Sequence, residues 1–222
     1  GLRLPTLNEL YRPFVVFPVV TQANAALENE RLEGFELGFD WQPSRNAALS
    51  VTAFDNRVKN AIANVTLQPN LRQRQNLPAI DAQGIEGTLA LSFGEISFDT
   101  SLAYTDATID GAGASTALDG NRPPQTPEFS ASATLAWEPT EGIRLAGTLR
   151  HIGAQFEDDQ ETDSLQSATT LNLFAQVPVN DTISVIARGE NIFDETIVTR
   201  NAGGAIDLGV PRTVWLGLRI GL

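Results

Sequence analysis

Alternation of apolar with small or polar residues constrains this chain more than any other feature. The clearest case is the C-terminal segment, where apolar residues occupy every second position: Val214, Leu216, Leu218, Ile220 and Leu222. A period of two residues predicts a β-strand whose side chains point alternately to opposite faces. The last strand of a soluble β-sandwich would alternate in the same way, so this segment alone leaves two architectures open.

The same alternation recurs along the chain. Its apolar faces run over these six further segments: Phe35 to Trp41, Ile85 to Phe93, Ile96 to Tyr104, Phe129 to Trp137, Ile143 to Leu149 and Leu171 to Val177. The opposite faces are small and rich in hydroxyl groups, which favours a barrel lumen over a surface in bulk water. In Leu49 to Asn60 and Ile183 to Asn191 the alternation is interrupted, which indicates strands that leave a membrane, with a bulge at the exit.

Short and long connections alternate along the chain, and this alternation distinguishes a membrane barrel from a soluble sandwich. The short ones have turn compositions and cover 42–46, 94–95, 138–142 and 178–181. The long ones cover about 12–31, 68–81, 110–127, 157–166 and 201–207. An up-and-down barrel with short turns at one end and long loops at the other is typical of bacterial outer membranes. Soluble sandwiches with Greek-key connections do not usually sort their loops in this way.

Composition narrows the function classes. The chain has no Cys and one His, so the composition predicts no disulfide, no metal site, no cofactor and no His-based catalysis. A net charge of −12 without a basic patch excludes nucleic acid as a partner. The acidic run 157–163 is interpreted as a solvated loop, with a cation-attracting mouth as the alternative. The chain lacks Met and begins with Gly1, so we expect a processed chain or a fragment.

Aromatic residues are predicted to mark the two membrane interfaces. Trp41, Phe93 and Trp137 adjoin short turns, whereas Phe35, Tyr104 and Phe129 lie nearer the long loops. Two such levels correspond to the aromatic girdles of membrane barrels, although aromatic residues also favour strands in general. Counting segments predicts nine full strands, with residues 1–5 as the end of a tenth.

Four ordered stretches resemble the C-terminal part of TonB-dependent outer-membrane receptors. They are the residues 1–11 (GLRLPTLNELY), 27–38 (LENERLEGFELG), 74–86 (RQN followed by QGIE) and 190–218 (ENIFDE followed by PRTVWLGL). Each stretch alone is weak, whereas the set in this order and spacing is specific. The family's usual final Phe is Leu222 here. Asn191 and Asp194, in the fourth stretch, are predicted to hydrogen-bond the turn that leaves their strand.

The resemblance implies an all-β fold, namely an antiparallel up-and-down transmembrane β-barrel of 22 strands in which residues 1–222 form the last ten or so. A plug domain and the first strands would then be absent from this chain. The resemblance further implies an outer-membrane receptor, not an enzyme, that takes up a ferric siderophore or cobalamin and is energised by TonB–ExbB–ExbD through the plug. Its partners would be lipid, the remainder of the barrel and a small-molecule ligand. A passive pore and a soluble β-sandwich binding module remain the alternatives.

Candidate ligand contacts lie in the long loops. Tyr11, Phe14 and Phe17 belong to an apolar stretch that could present an aromatic platform to a chelate, or could pack against neighbouring loops. Arg72 and Arg74 could attract an anionic chelate, or could pair with acidic loops. The single histidine, His151, would have to serve any Ser/His hydrolase, and we expect no enzymatic role for it.

Overall fold

The computed structural model describes residues 1–202 and 204–221, so Leu222, the predicted end of the last strand, lies outside the described residues. Its helices are α1 (Leu7–Tyr11) and a 3-10 helix, Gly113–Leu118. Its strands are β1 (Leu2–Arg3), β2 (Phe14–Val16), β3 (Val19–Gln22), β4 (Glu30–Ser44), β5 (Ala47–Gln68), β6 (Leu71–Phe93), β7 (Ile96–Asp110), β8 (Phe129–Trp137), β9 (Arg144–Ile152), β10 (Gln155–Phe156), β11 (Ser164–Leu165), β12 (Ala168–Pro178), β13 (Ile183–Glu190), β14 (Val198–Ala202), β15 (Ala205–Leu208) and β16 (Thr213–Ile220).

Ten strands form one antiparallel sheet in the order β1-β4-β5-β6-β7-β8-β9-β12-β13-β16. Each strand pairs with the next wall strand along the chain, which is the up-and-down topology that the sequence predicts. Strand β1 contributes two residues, Leu2 and Arg3, opposite Arg31 and Glu30. In the described residues the sheet is not closed, because the order begins at β1 and ends at β16. We call these ten strands the wall.

The register of the wall collects the apolar positions onto one face. Leu91, Phe98 and Leu135 lie opposite one another across β6, β7 and β8, and at the far edge Leu216 lies opposite Ala187. Leu135 and Leu216 are exposed, by 55% and 79%, and the others are half-buried. The nine residues of β8, at about 3.3 Å each and tilted about 40°, give a height of about 23 Å, close to the apolar band of membrane barrels. An exposed apolar face of this height has the dimensions of the lipid-facing band of a membrane barrel.

The two levels of aromatic residues lie on this same outward face. Tyr104 is paired directly with Phe129 at the long-loop end. Phe93 and Trp137 occupy the other end, where they lie opposite Ile96 from either side. The register thus places the predicted girdle residues on one face and at two heights, as an interfacial role requires.

Strands β5 and β6 differ from the prediction. The segment 68–81 was expected to be a long loop, and this expectation is wrong. The two strands have 22 and 23 residues and form one continuous hairpin. Its tip is a two-residue turn of Pro69 and Asn70, with Asn70 at a φ of 62°, which suits the third position of a type II turn. The apolar alternation stops near Asp55, while the backbone stays extended and β5 remains paired with β6.

The buried apolar cluster lies at the long-loop end, outside the apolar band. It joins the outer half of the β5–β6 hairpin to β7 and the 3-10 helix through these five side chains: Ala61, Val65, Leu77, Ile109 and Leu118. The three members from β5 and β6 lie beyond Asn60, which has a φ of 54°, and all five members are at most 3% exposed. Among the described residues, no helix is long and apolar enough to cross a membrane.

Candidate functional site

The site is built at the outer ends of the strands, beginning with helix α1. Thr6 and Glu9 form a capping box, in which the Thr6 hydroxyl accepts from the Glu9 amide (3.2 Å) and Glu9 accepts from the Thr6 amide (2.7 Å). Arg3 donates to both Glu9 and Glu30. Burial alone would raise the pKa of Glu9, but bonds from Thr6 and Arg3 outweigh it and lower the pKa. The Arg3 bond likewise lowers the pKa of Glu30.

The first long loop continues as the hairpin of β2 and β3 and attaches to the β5–β6 hairpin. Strand β3 runs parallel to β6, with Val20 opposite Leu71 and Thr21 opposite Arg72. The Val20 amide donates to the Asn70 carbonyl over 2.9 Å. These bonds extend the outer half of the sheet by one strand taken from a loop, and they fix the position of the loop over the barrel mouth.

Arg74 is the main side-chain link between this loop and β6. Its guanidinium donates from Nη1 to the backbone carbonyls of Asn8 and Arg12, the latter over 3.0 Å. It also lies 5.0 Å from the centroid of the Phe14 ring, within cation–π range. The Arg74 carbonyl accepts from Asn24 over 3.0 Å. Arg74 and Phe14 therefore act together to hold the first loop against the hairpin.

Two aspartates of the acidic run are buried acceptors and not solvated charges. Asp159 is 3% exposed and accepts from the amide (2.8 Å) and hydroxyl (2.6 Å) of Thr66, near the tip of the β5–β6 hairpin. Asp158 is 5% exposed and accepts from the amides of Gln160 (2.8 Å), Thr162 (3.0 Å) and Asp163 (2.6 Å). Burial alone would raise the pKa of Asp158, yet these amides outweigh it and lower the pKa. Neither sequence interpretation, a solvated loop or a cation-attracting mouth, describes these two residues.

A cavity of about 350 Å³ lies where the first loop, the hairpin tip and the loop 157–163 meet. Arg72 lines it together with Asn70, Asp158 and Thr162. The lining carries a guanidinium, side-chain amides, hydroxyl groups and two carboxylates, so it offers both hydrogen-bond donors and acceptors to a polar ligand that enters from outside. We call helix α1, the first long loop, the loop 157–163 and the β5–β6 hairpin beyond residue 60 the outer assembly.

The structure divides the five predicted contact residues among four places. Tyr11 and Phe17 are 66% and 86% exposed, at the end of α1 and at the tip of the β2–β3 hairpin. Phe14 and Arg74 contact each other, and Arg72 lines the separate cavity. Sequence reasoning missed Asp158 and Asp159. The Pro69-Asn70 turn signal would have revealed the hairpin that Asp159 contacts.

The turn after β13 uses the residues that the sequence assigned to it. Asn191 is 3% exposed; its side chain accepts from the Glu195 amide (2.9 Å) and donates to the Glu195 carbonyl (2.8 Å). Asp194 accepts from the Arg212 amide over 2.9 Å. This local role in hydrogen bonding is confirmed. The turn thereby holds the two ends of the last loop, from Ile192 to Arg212, close together.

His151 lies on the outward face near the upper aromatic level. Its Nδ1 is 2.8 Å from the Thr169 hydroxyl, and its ring centroid is 5.8 Å from that of Phe129. On the inner face, hydroxyl pairs link neighbouring strands, as between Ser101 and Ser132 (2.9 Å) and between Thr134 and Thr148 (2.9 Å). Within residues 1–202 and 204–221, His, Asp and Glu side chains form no group that could hold a metal ion.

Comparison with known proteins identifies relatives of this architecture. A family model described as TonB dependent receptor-like, beta-barrel, matches residues 1–192. The chain is 24% identical over 204 residues to the vitamin B12 transporter BtuB of Photobacterium profundum, covering 90% of this chain and 31% of the transporter.

Two solved structures are similar in fold. The ferric yersiniabactin uptake receptor FyuA of Yersinia pestis superposes with a TM-score of 0.76 at 18% identity, covering 94% of this chain and 32% of FyuA. The ferric enterobactin receptor PfeA of Pseudomonas aeruginosa, crystallised with enterobactin, gives a TM-score of 0.68 at 22% identity, covering 91% of this chain and 33% of PfeA. The chain therefore spans about a third of the length of the relatives that it matches.

Proposed function

Because this chain belongs to the TonB-dependent receptor-like β-barrel family, we propose that it supplies the C-terminal ten strands of a receptor in the bacterial outer membrane. The receptor takes up a scarce, large solute, of which a ferric siderophore and cobalamin are the two leading classes. Uptake is energised by TonB–ExbB–ExbD acting on a plug domain inside the barrel. The function requires no catalytic step from the residues of this chain.

The observation that carries the proposal is an open sheet with one apolar face. The outer edges of β4, beyond its contact with β1, and of β16 have no partner strand among the described residues. Unpaired backbone groups are not viable in lipid, since each costs several kcal/mol there. Further strands that join β4 to β16 would remove this cost, and residues 1–222 would then form the last part of a closed barrel.

Ligand capture is assigned to the outer assembly. Tyr11 and Phe17 present exposed aromatic surface, and Arg72 presents a guanidinium in the cavity beside Asp158. These three residues are proposed as direct contacts. Phe14 and Arg74 are proposed to act by positioning the first loop, because Arg74 directs its donors to loop carbonyls.

The test uses the full-length receptor in outer-membrane vesicles, with ferric enterobactin, ferric yersiniabactin and cyanocobalamin as probes. We expect saturable binding of at least one probe, and uptake in cells that stops when TonB is deleted. Uptake of all small solutes without saturation or TonB would instead identify the passive pore. A monodisperse protein that needs no detergent would identify the soluble sandwich.

A matched pair of variants tests the contact residues. Phe17→Ala should weaken binding of the recognised probe, because an exposed aromatic contact is lost. Val179→Ala, in an exposed short turn at the opposite end, is the control and should leave binding unchanged. Equal affinity in wild type and Phe17→Ala would remove Phe17 from the site.

A further inference from the structure

Most charged residues on the inner face of the wall are separated by sign, with Arg3 of β1 and Glu190 of β13, which also lines the cavity described next, as exceptions. The register assigns inward positions of β4, β6 and β7 to four carboxylates: Glu36, Asp40, Glu86 and Asp99. It assigns inward positions of β9, β13 and β16 to four guanidiniums: Arg144, Arg150, Arg188 and Arg219. In a chain with a net charge of −12, four of its 15 basic residues therefore lie on one part of the lumen surface.

Three of these arginines line one cavity. Arg144, Arg188 and Arg219 reach it from three different strands, and the cavity holds about 540 Å³. Asn172 and Gln176 of β12 add side-chain amides to the lining. We call this space the arginine cavity. Strand β12 lies between β9 and β13, so its two amides lie between Arg144 and Arg188.

The carboxylates of the wall satisfy these arginines only partly. Glu138 is 3.1 Å from Arg144, and both side chains are 53% exposed. Glu190 is 4.0 Å from Arg188, at the limit of an ion pair, and Arg188 is 58% exposed. Arg219 donates to the Gln176 oxygen over 3.5 Å. Each guanidinium has five N–H donors, so most of these donors face the lumen without a described protein acceptor.

The depth of the cavity favours a protein surface as its occupant. Arg144 is the first residue of β9, after a short turn, and Arg219 precedes the last residue of β16. Both therefore lie at the short-turn end, far from the outer assembly where a solute is first captured. Phe174 also lines the cavity, and a combination of apolar and guanidinium groups suits a folded surface that carries carboxylates.

We propose that the arginine cavity receives a carboxylate-bearing surface of the plug domain and thereby fixes the rotational orientation of the plug. Since Glu36, Asp40, Glu86 and Asp99 lie on the other part of the wall, the same plug surface would be repelled there. The inference rests on the proposed function, because it requires a plug. Bidentate pairs between guanidinium and carboxylate supply the directional part of the contact.

The test is hydrogen–deuterium exchange of the plug in the full-length receptor, reconstituted in liposomes at low salt. The variant combines Arg144→Gln, Arg188→Gln and Arg219→Gln. Plug peptides that are protected in wild type should exchange at least about three-fold faster in the variant, because several partly exposed ion pairs are lost. The difference should shrink at high salt, since screening weakens such pairs.

The control variant combines Arg31→Gln, Arg57→Gln and Lys59→Gln, which removes the same charge from the outward face of the wall. It should leave plug exchange at the wild-type rate. Unchanged plug exchange in the arginine-cavity variant would overturn the inference. Loss of ligand uptake with unchanged plug exchange would also overturn it, because the cavity would then serve the passing solute. If wild type contains no protected plug peptides, the proposed function itself fails.

Discussion

The wall and the outer assembly both contain antiparallel strands, but they differ in whether their apolar side chains are exposed or buried. On the outward face of the wall Leu216 is 79% exposed, whereas in the outer assembly Leu77 is 1% exposed. Strands β5 and β6 run through both regions, so the same hairpin passes from one environment into the other. The wall leaves its apolar face exposed, and the outer assembly buries its apolar residues. One continuous ladder of backbone hydrogen bonds therefore runs through two regions. Burial of apolar side chains stabilises the outer assembly, whereas the wall requires an apolar surrounding.

The largest expected effect is the loss of packing in the outer assembly. Leu77→Ala should destabilise this assembly by about 2–5 kcal/mol, because it leaves a cavity in a closed cluster. Leu216→Ala should cost less, since lipid chains can fill the space beside the wall. Hydrogen exchange of the amides in 61–77, measured in both variants, separates the two regions. Equal effects on those amides would contradict the contrast.

A charge placed on the wall should show which face meets lipid. Leu216→Arg should cost about 2–4 kcal/mol if the position is near the bilayer midplane. Gly217→Arg is the matched control on the next residue, where an added Cβ meets nothing within 4 Å. Reversible unfolding in lipid vesicles gives both values. A greater loss at Gly217 than at Leu216 would reverse the assignment of the two faces.

Loss of a buried acceptor in the outer assembly should reduce stability more than loss of an exposed carboxylate at the short-turn end of the wall. Asp159→Ala leaves the Thr66 amide without its partner and should cost about 1–3 kcal/mol locally. Asp181→Ala, in an exposed short turn, should be neutral. Exchange of the Thr66 amide reports the local opening. Equal protection of that amide in the two variants would show that Asp159 does not hold the hairpin tip.

Acid should open the outer assembly and leave the wall closed. The pKa of Asp158 is lowered in the folded state, so its contribution is present above the unfolded pKa of about 3.9 and is lost as the pH falls through the folded value. Pepsin cleavage within 153–167 should therefore increase below about pH 4 in the wild type. Asp158→Asn, compared at each pH, should be cleaved readily throughout and show no such step. A step that persists in Asp158→Asn would assign it to another group.

The smallest effect is expected for exposed ion pairs on the outward face. Lys59 is 2.7 Å from Glu33, and both side chains are about half exposed. Lys59→Gln should leave the thermal midpoint unchanged, because solvent screens such pairs and ordering two side chains costs entropy. A clear fall in the midpoint would mean that this pair is shielded, for example by lipid headgroups. In that case the border between the wall and the outer assembly would lie further out.

The wall could be predicted from the sequence far better than the outer assembly. A strand with one apolar and one polar face has a period of two, as in Phe129–Trp137, and this period is visible in one sequence. Beyond Asp55 the alternation is interrupted, so the sequence does not predict the continuation of β5 and β6 as strands. Arg74 bonds to Arg12 and Asp159 bonds to Thr66, at sequence separations of 62 and 93 residues. No local signal reveals such contacts, although the residue types could be picked out as candidates.

The central claim is that alternate residues of each wall strand face lipid and lumen. Single nitroxide labels at positions 213–220 of β16, in the full-length receptor in vesicles, test it most directly. Oxygen should relax the labels at Val214, Leu216, Leu218 and Ile220, and a water-soluble nickel chelate should relax those at Thr213, Trp215, Gly217 and Arg219. A profile without a two-residue period, or one with the two sets exchanged, would contradict the account.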